Sequence, residues 1–161
     1  MITDLEARLR EKAGVRRIVT GHRDGKSVVI DDADIPVQEL LGAKIFELWE
    51  TMGIPAMPVD REKCKAPLRF KMPAHPGDTR LRLMVIPPDK QMQGSGMHAT
   101  RTVDYDIVLS GELWMELDDG FVSLKPGDCV IQNGTRHAWH NRSAQNCILL
   151  SVCIGAKRND E

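Results

Sequence analysis

From residue 79 onward the apolar positions fall into short β-rich runs, at 81–86, 103–109, 112–117, 121–124, 128–132, 137–141 and 146–154. Each run is rich in Val, Ile, Leu or aromatic residues and is bounded by Gly, Pro or Asp, the texture of strands separated by turns. Seven short strands at near-regular spacing predict an all-β sandwich or barrel. Ser110-Gly111 and Asp118-Asp119-Gly120 read as tight hairpin turns, and Lys125-Pro126-Gly127-Asp128 has Pro followed by Gly in the order a type II turn requires.

The N-terminal half is patterned differently. Residues 3–12 place Leu5 and Leu9 four apart among charges, with Thr3 as N-cap and Gly14 beyond the end, which predicts a short amphipathic helix. Residues 16–20 and 27–30 are β-rich and flank Asp24-Gly25, so they predict a hairpin. Residues 43–52 suit either helix or strand; we favour a strand over 44–49, followed by a long irregular stretch punctuated by Pro55, Pro58, Pro67, Pro73 and Pro76. The expected organisation is one domain over 1–161, with an N-terminal extension at 1–78 and a barrel core at 79–156.

Charge narrows the function. Lys plus Arg number 22 and Asp plus Glu 23, for a net charge of −1, so no global field favours nucleic acid or an anionic membrane. No apolar stretch approaches the roughly 20 residues that span a bilayer, and the first residues have no basic segment leading into an apolar run. A soluble, cytoplasmic protein is therefore expected. Cys64, Cys129, Cys147 and Cys153 lack Cys-x-x-Cys spacing and read as free, buried thiols.

Strand alternation decides which polar side chains can meet, because residues two apart share a face. His98, Thr100, Thr102 and Asp104 share one parity; His137, Trp139 and Asn141 share another on a later run. Two imidazoles and a carboxylate have the composition of a facial site for Fe, and would also suit Mn, Ni or Zn. Spacing alone does not say that the two runs are neighbours. Trp139 reads equally as a wall for a ligand and as a core aromatic; Trp49, Trp114 and Phe121 read as packing residues. Tyr105 has the parity opposite to Asp104 and should point away from the interior. His140 reads as a surface position, His22 and His75 read as turn or loop residues, and His75, in the Pro-rich stretch, is an outside candidate for covering a barrel mouth. No phosphate-binding glycine loop and no Gly-x-Ser-x-Gly elbow occurs, which removes the usual support for nucleotide chemistry and serine hydrolysis.

Residues 97–141 resemble the two motifs of the cupins: His98-x-Thr100-x3-Asp104-x6-Gly111, then Pro126-Gly127-Asp128 followed by Gly134-x2-His137-x3-Asn141. The resemblance implies a double-stranded β-helix barrel, paired as a homodimer, to which the residue pattern adds a short N-terminal helix and extra N-terminal strands. It also implies a site at the barrel mouth built from His98, Asp104 and His137, with Thr100 and Trp139 in the pocket. Three departures from the family pattern bear on chemistry. Thr100 replaces a histidine, Asp104 replaces a glutamate, and Gln132-Asn133 stands where a proline precedes the second-motif glycine. The usual three-His-plus-Glu set is thereby reduced to two His and one Asp, which lowers or abolishes affinity for a divalent metal (Fe, Mn, Ni or Zn).

Three functions follow from the resemblance and the residues. The first is an enzyme in which a metal held by His98, His137 and Asp104 acts as a Lewis acid on a small oxygenated or carboxylate substrate, in isomerase, decarboxylase, lyase or dioxygenase chemistry. The second keeps the enzyme and drops the metal, with a histidine as general acid or base. The third is a non-catalytic cupin that binds a small ligand.

Overall fold

The computed structural model describes Ala7, Leu9 and residues 14–59, 64–67, 69–73, 75–94 and 96–157. Twelve strands run in chain order: β1 (Val15–Arg23), β2 (Lys26–Ile35), β3 (Gln38–Leu40), β4 (Ala43–Thr51), β5 (Cys64–Lys65), β6 (Thr79–Ile86), β7 (Thr102–Ser110), β8 (Leu113–Leu117), β9 (Gly120–Leu124), β10 (Cys129–Gln132), β11 (Ala138–His140) and β12 (Cys147–Gly155). A 3-10 turn, Asp89–Gln91, lies between β6 and β7. Among the described residues no helix is long and apolar enough to cross a membrane.

The all-β expectation holds, and the ambiguous stretch at 43–52 is a strand. The short N-terminal helix is not among the elements found: apart from Ala7 and Leu9, residues 3–12 lie outside the described residues. The described contact of that stretch with the body is Leu9, buried beside Ile35 and Phe46.

Two sheets face each other. The larger runs β10-β7-β12-β6-β4-β3, with β5 beside β4; the smaller is β11-β8-β9. Every pairing is antiparallel. β4 covers the edge of β6, which would otherwise present unpaired backbone groups. The hairpin β1–β2 forms a separate two-stranded sheet, closed by Asp24 and Gly25 at φ 52° and 73°, the doubly positive geometry of a type I′ turn.

Alternation sorts the larger sheet into two faces. Ile86, Val108, Cys147 and Leu149 turn inward against Leu113, Met115 and Leu124 of the small sheet. Leu113 and Leu149 have no exposure, and each stabilises the fold by roughly 1.5–3 kcal/mol. On the opposite face Phe46, Leu83, Val85 and Ile148 pack with Ile35 and Leu9. Gly111 shows why the β7–β8 turn needs glycine: its φ is +78°, and a Cβ there would stand 2.5 Å from the carbonyl oxygen of Asn146.

Candidate functional site

The chain brings the two predicted imidazoles together. His98 lies outside the named strands but bridges antiparallel to His137, each backbone N–H donating to the other's carbonyl at 3.0 and 2.8 Å. The ring centroids are 4.5 Å apart. Trp139 follows on the same face, edge-on to His137 at 5.6 Å, and also packs against the inner core, so both readings of this tryptophan apply.

His98, Thr100, Asp104, His137 and Trp139 all line one cavity of about 220 Å³. That is below the roughly 300–1,000 Å³ of pockets that take drug-sized ligands, which suits a compact ligand. Its walls are mostly apolar and include Ile45, Met84, Ile86 and Met92. Phe70 and Met72, from the Pro-rich stretch, also line it, so this segment helps to wall the cavity.

Each predicted residue has a distinct environment. His98 is exposed, and its Nδ1 lies 3.0 Å from the carbonyl oxygen of Gly96. His137 is 3% exposed; burial holds its imidazole below the usual histidine range, against the raising effect of the Thr135 carbonyl. Asp104 is buried, and its Oδ1 has no hydrogen-bond partner. The Thr100 hydroxyl accepts a hydrogen bond from Thr102 Oγ1 at 2.7 Å. Asn141, 1% exposed, donates to the carbonyls of Ile86 and Gln145 at 2.9 and 2.8 Å and so pins the end of β11 to the end of β6.

The sheet register adds residues that sequence reasoning missed. Two polar rows cross the inner face. In the first, Glu50 stands opposite Arg80, Arg80 opposite Cys153, Cys153 opposite Asp104, and Asp104 opposite Gln132. In the second, Glu47 stands opposite Arg82, Arg82 opposite Ser151, and Ser151 opposite Asp106. Asp106 could have been found by extending the Asp104 alternation by one step. Arg82, Ser151 and Cys153 carry no such signal, because only strand pairing places them beside the aspartates.

These rows are charged and buried. Arg80 meets Glu50 at 2.6 Å, and Arg82 meets Glu47 at 3.2 Å, donates to the Lys71 carbonyl at 2.9 Å and stacks over Phe70 at 4.6 Å. Arg82 thus ties the Pro-rich segment to the cavity wall. Burial raises the carboxyl of Glu47, opposed by Arg82 and Arg80. Burial also pushes Asp106 up to about 6, with a hydrogen bond from Ser151 opposing and the neighbouring Asp104 charge reinforcing the rise. The Cys153 thiol is pushed up to about 12 by burial and is no thiolate nucleophile near neutral pH.

Other expectations divide. His140 pairs with Glu116 at 2.7 Å away from the cavity, and Tyr105 is 42% exposed, as their parities require. His75 is exposed and does not line the cavity; its carbonyl packs against Gly155 instead. Cys64, Cys147 and Cys153 are buried, but Cys129 is exposed because β10 turns that parity outward. Phe121 is 50% exposed and carries Arg142 over its ring at 4.1 Å, so it is a surface residue and not a core one.

The donor set does not fit a resident divalent metal. Among the described residues no three His, Cys, Asp or Glu side chains come together closely enough to hold one. Thr100 puts a hydroxyl, already tied to Thr102, where a third imidazole would be needed.

Comparison with known proteins agrees with this architecture. Residues 82–153 match the family model of the Cupin domain, Cupin_2. Over 69 residues, 42% of this chain and 35% of the relative, the chain is 44% identical to phomopsin biosynthesis cluster protein C' of Diaporthe leptostromiformis. It is 42% identical over 62 residues, 37% of this chain and 35% of the relative, to oryzines biosynthesis cluster protein J of Aspergillus oryzae. The matched stretch thus spans about a third of the length of these curated relatives. Among solved structures, an RmlC-like cupin from Shewanella frigidimarina superposes with a TM-score of 0.50 at 14% identity, covering 79% of this chain and 89% of that one. The polyketide cyclase RemF from Streptomyces resistomycificus also gives 0.50, at 17% identity over 75% and 74% of the two chains. Motifs, two-sheet barrel and family model converge: the chain carries a Cupin_2 domain over residues 82–153 and belongs through it to the cupin superfamily.

Proposed function

We propose that this cupin is a small-molecule enzyme that moves a proton on a compact oxygenated or carboxylate substrate, with His98 and His137 as the acid–base groups and Asp104 beside them. One observation carries the reading: residues from separate runs of the chain, His98, Asp104 and His137, line a single cavity whose walls are mostly apolar but also include Arg82, Asp106 and Ser151. Ionisable groups gathered in an apolar pocket are the arrangement that proton transfer uses. Imidazole changes charge near neutral pH, and His98, exposed at the mouth, can exchange its proton with solvent. Three relatives are named for biosynthesis clusters and a fourth as a cupin-domain-containing oxidoreductase, virC, of Hypocrea virens, which supports work on small molecules. A homodimer remains the expected assembly, supported by Ile18 and Val29, which the hairpin leaves more than half exposed.

The test is hydrogen–deuterium exchange at carbon, followed by proton NMR in D₂O with a panel of oxo acids and β-dicarbonyl compounds. Exchange that is lost in both His98→Ala and His137→Ala is the expected result. Binding without exchange would instead favour a ligand-binding cupin, the reading that the missing motif histidine supports. No binding by any compound would overturn the assignment of the cavity.

A further inference from the structure

We propose that Gln132 is a positioning residue that holds His137 as its Nε2–H tautomer, so that His98 and His137 present opposite faces of the same chemistry to the ligand. The inference rests on the cavity being the ligand site, and it names the group each histidine offers there.

Gln132 ends β10 and is 2% exposed. The backbone N–H of Thr135 donates to its Oε1 at 2.9 Å, and Thr135 Oγ1 donates to the same oxygen at 3.1 Å. A backbone N–H can only donate, so the amide orientation is settled by its partner. Nε2 therefore lies on the other side, where it donates to the Thr135 carbonyl at 2.9 Å and contacts His137 Nδ1.

His137 Nδ1 lies between two groups, the Gln132 amide nitrogen and the Thr135 carbonyl, the latter at 3.0 Å. If Nδ1 carried the proton it could donate to that carbonyl, but a second Gln132 hydrogen would then face an N–H in a buried site and find no acceptor. If Nδ1 is bare, it accepts from Gln132, and the Thr135 carbonyl keeps its bond from the same amide. Every donor and acceptor gathered around Nδ1 is satisfied only in the second arrangement, which leaves the proton to Nε2 on the other side of the ring. The doubly protonated ring meets the same opposition, in accord with the direction in which burial moves this imidazole.

His98 has the converse partner. Its Nδ1 faces the carbonyl oxygen of Gly96, which can only accept, so Nδ1 is protonated and Nε2 keeps its lone pair. With ring centroids 4.5 Å apart, the pair consists of one hydrogen-bond donor and one base. The ligand this suits is a carbonyl compound with an acidic C–H beside the carbonyl. The C–H proton goes to His98 Nε2, and the electron pair moves into the carbonyl. The oxygen that gains charge is met by His137 Nε2–H, and the products are an enolate and the His98 imidazolium. A nitrogen that carries its proton toward the cavity has no lone pair for a metal, which is why the chain's own Gln132 and Thr100 act in the same direction.

Long-range proton–nitrogen correlation spectra of the uniformly ¹⁵N-labelled chain, at a pH where both histidines are neutral, read the tautomers without any ligand. The expected spectrum shows Nδ1–H for His98 and Nε2–H for His137, assigned with His137→Asn. In Gln132→Leu the His137 pattern should switch to Nδ1–H while His98 is unchanged, and Ni²⁺ affinity should rise at least about tenfold. A wild-type spectrum with Nδ1–H at His137, or an unchanged pattern in folded Gln132→Leu, would overturn the proposal. If that variant does not fold, the wild-type spectrum alone decides. Because no substrate enters the measurement, failure of the exchange assay and failure of the tautomer assignment are separate results.

Discussion

The backbone of His98 and the backbone of His137 exchange both of their hydrogen bonds, at 3.0 and 2.8 Å, and this two-residue bridge sets the imidazoles side by side at the cavity. The bridge joins a loop residue to the start of β11, so the geometry of the pair depends on main-chain pairing and is insensitive to most side-chain changes nearby. Their surroundings nevertheless differ: His137 is buried among Gln132, Thr135 and Trp139, and His98 is open to solvent.

His137→Ala removes the acceptor of a buried Gln132 hydrogen as well as a cavity wall. It should abolish ligand binding and cost about 1–3 kcal/mol of stability, the price of a buried polar group left unpaired. Urea denaturation of the variant checks the second part, and an unchanged midpoint would show that Gln132 finds another partner.

Asp106→Asn should stabilise the protein above neutral pH. The native carboxyl is raised from 3.8 to about 6, so the folded state binds its proton more tightly than the unfolded state does. Its contribution is complete below about pH 4 and is lost as pH rises through about 6. The isosteric amide is free of that loss and should gain about 2 kcal/mol at pH 7.5 relative to pH 4. Denaturant titrations of both proteins at the two pH values measure it; an equal difference at both would contradict the raised carboxyl.

Thr100→His should place a third imidazole in the cavity that His98, Asp104 and His137 already line. Ni²⁺ should bind more tightly than to wild type, and more tightly again, by roughly 10–100-fold, in the double variant Thr100→His with Gln132→Leu, where His137 Nε2 is released as a ligand. Calorimetric titration at one fixed pH decides it, since protonated histidine does not bind metal. No gain in either variant would show that position 100 does not converge with the histidines.

Gly111→Ala should destabilise the barrel by more than about 2 kcal/mol. The backbone sits at φ +78°, and the added Cβ meets both the Asn146 carbonyl and, at 2.8 Å, the Cα of Cys147, none of which can swing aside as a side-chain tip would. Gly120→Ala, also at positive φ but with nothing within 4 Å, is the control and should cost less. Chemical denaturation of the pair compares clash plus strain with strain alone.

Sequence alone determined the features that depend on local periodicity. Alternation put His98, Thr100, Thr102 and Asp104 on one face and His137, Trp139 and Asn141 on another; the family resemblance singled out His98, Thr100, Asp104, His137 and Trp139 for the pocket, and these five line the cavity while Thr102 and Asn141 do not. Gly25, Gly111, Gly120 and Gly127 marked turns because a positive φ is costly for other residues, and each has one. Tertiary structure decided what no spacing contains, namely which strand lies beside which. β12 runs between β6 and β7, and that placement alone sets Arg82, Ser151 and Asp106 in one row and Arg80, Cys153 and Asp104 in the next. The Gln132 side chain was legible only as a departure from a motif; its hydrogen-bond geometry with Thr135 and His137 shows what the departure does. The physical reason is that face is a local property of an extended chain, whereas partnership between strands is settled by burying the common core of Val108, Leu113 and Leu149.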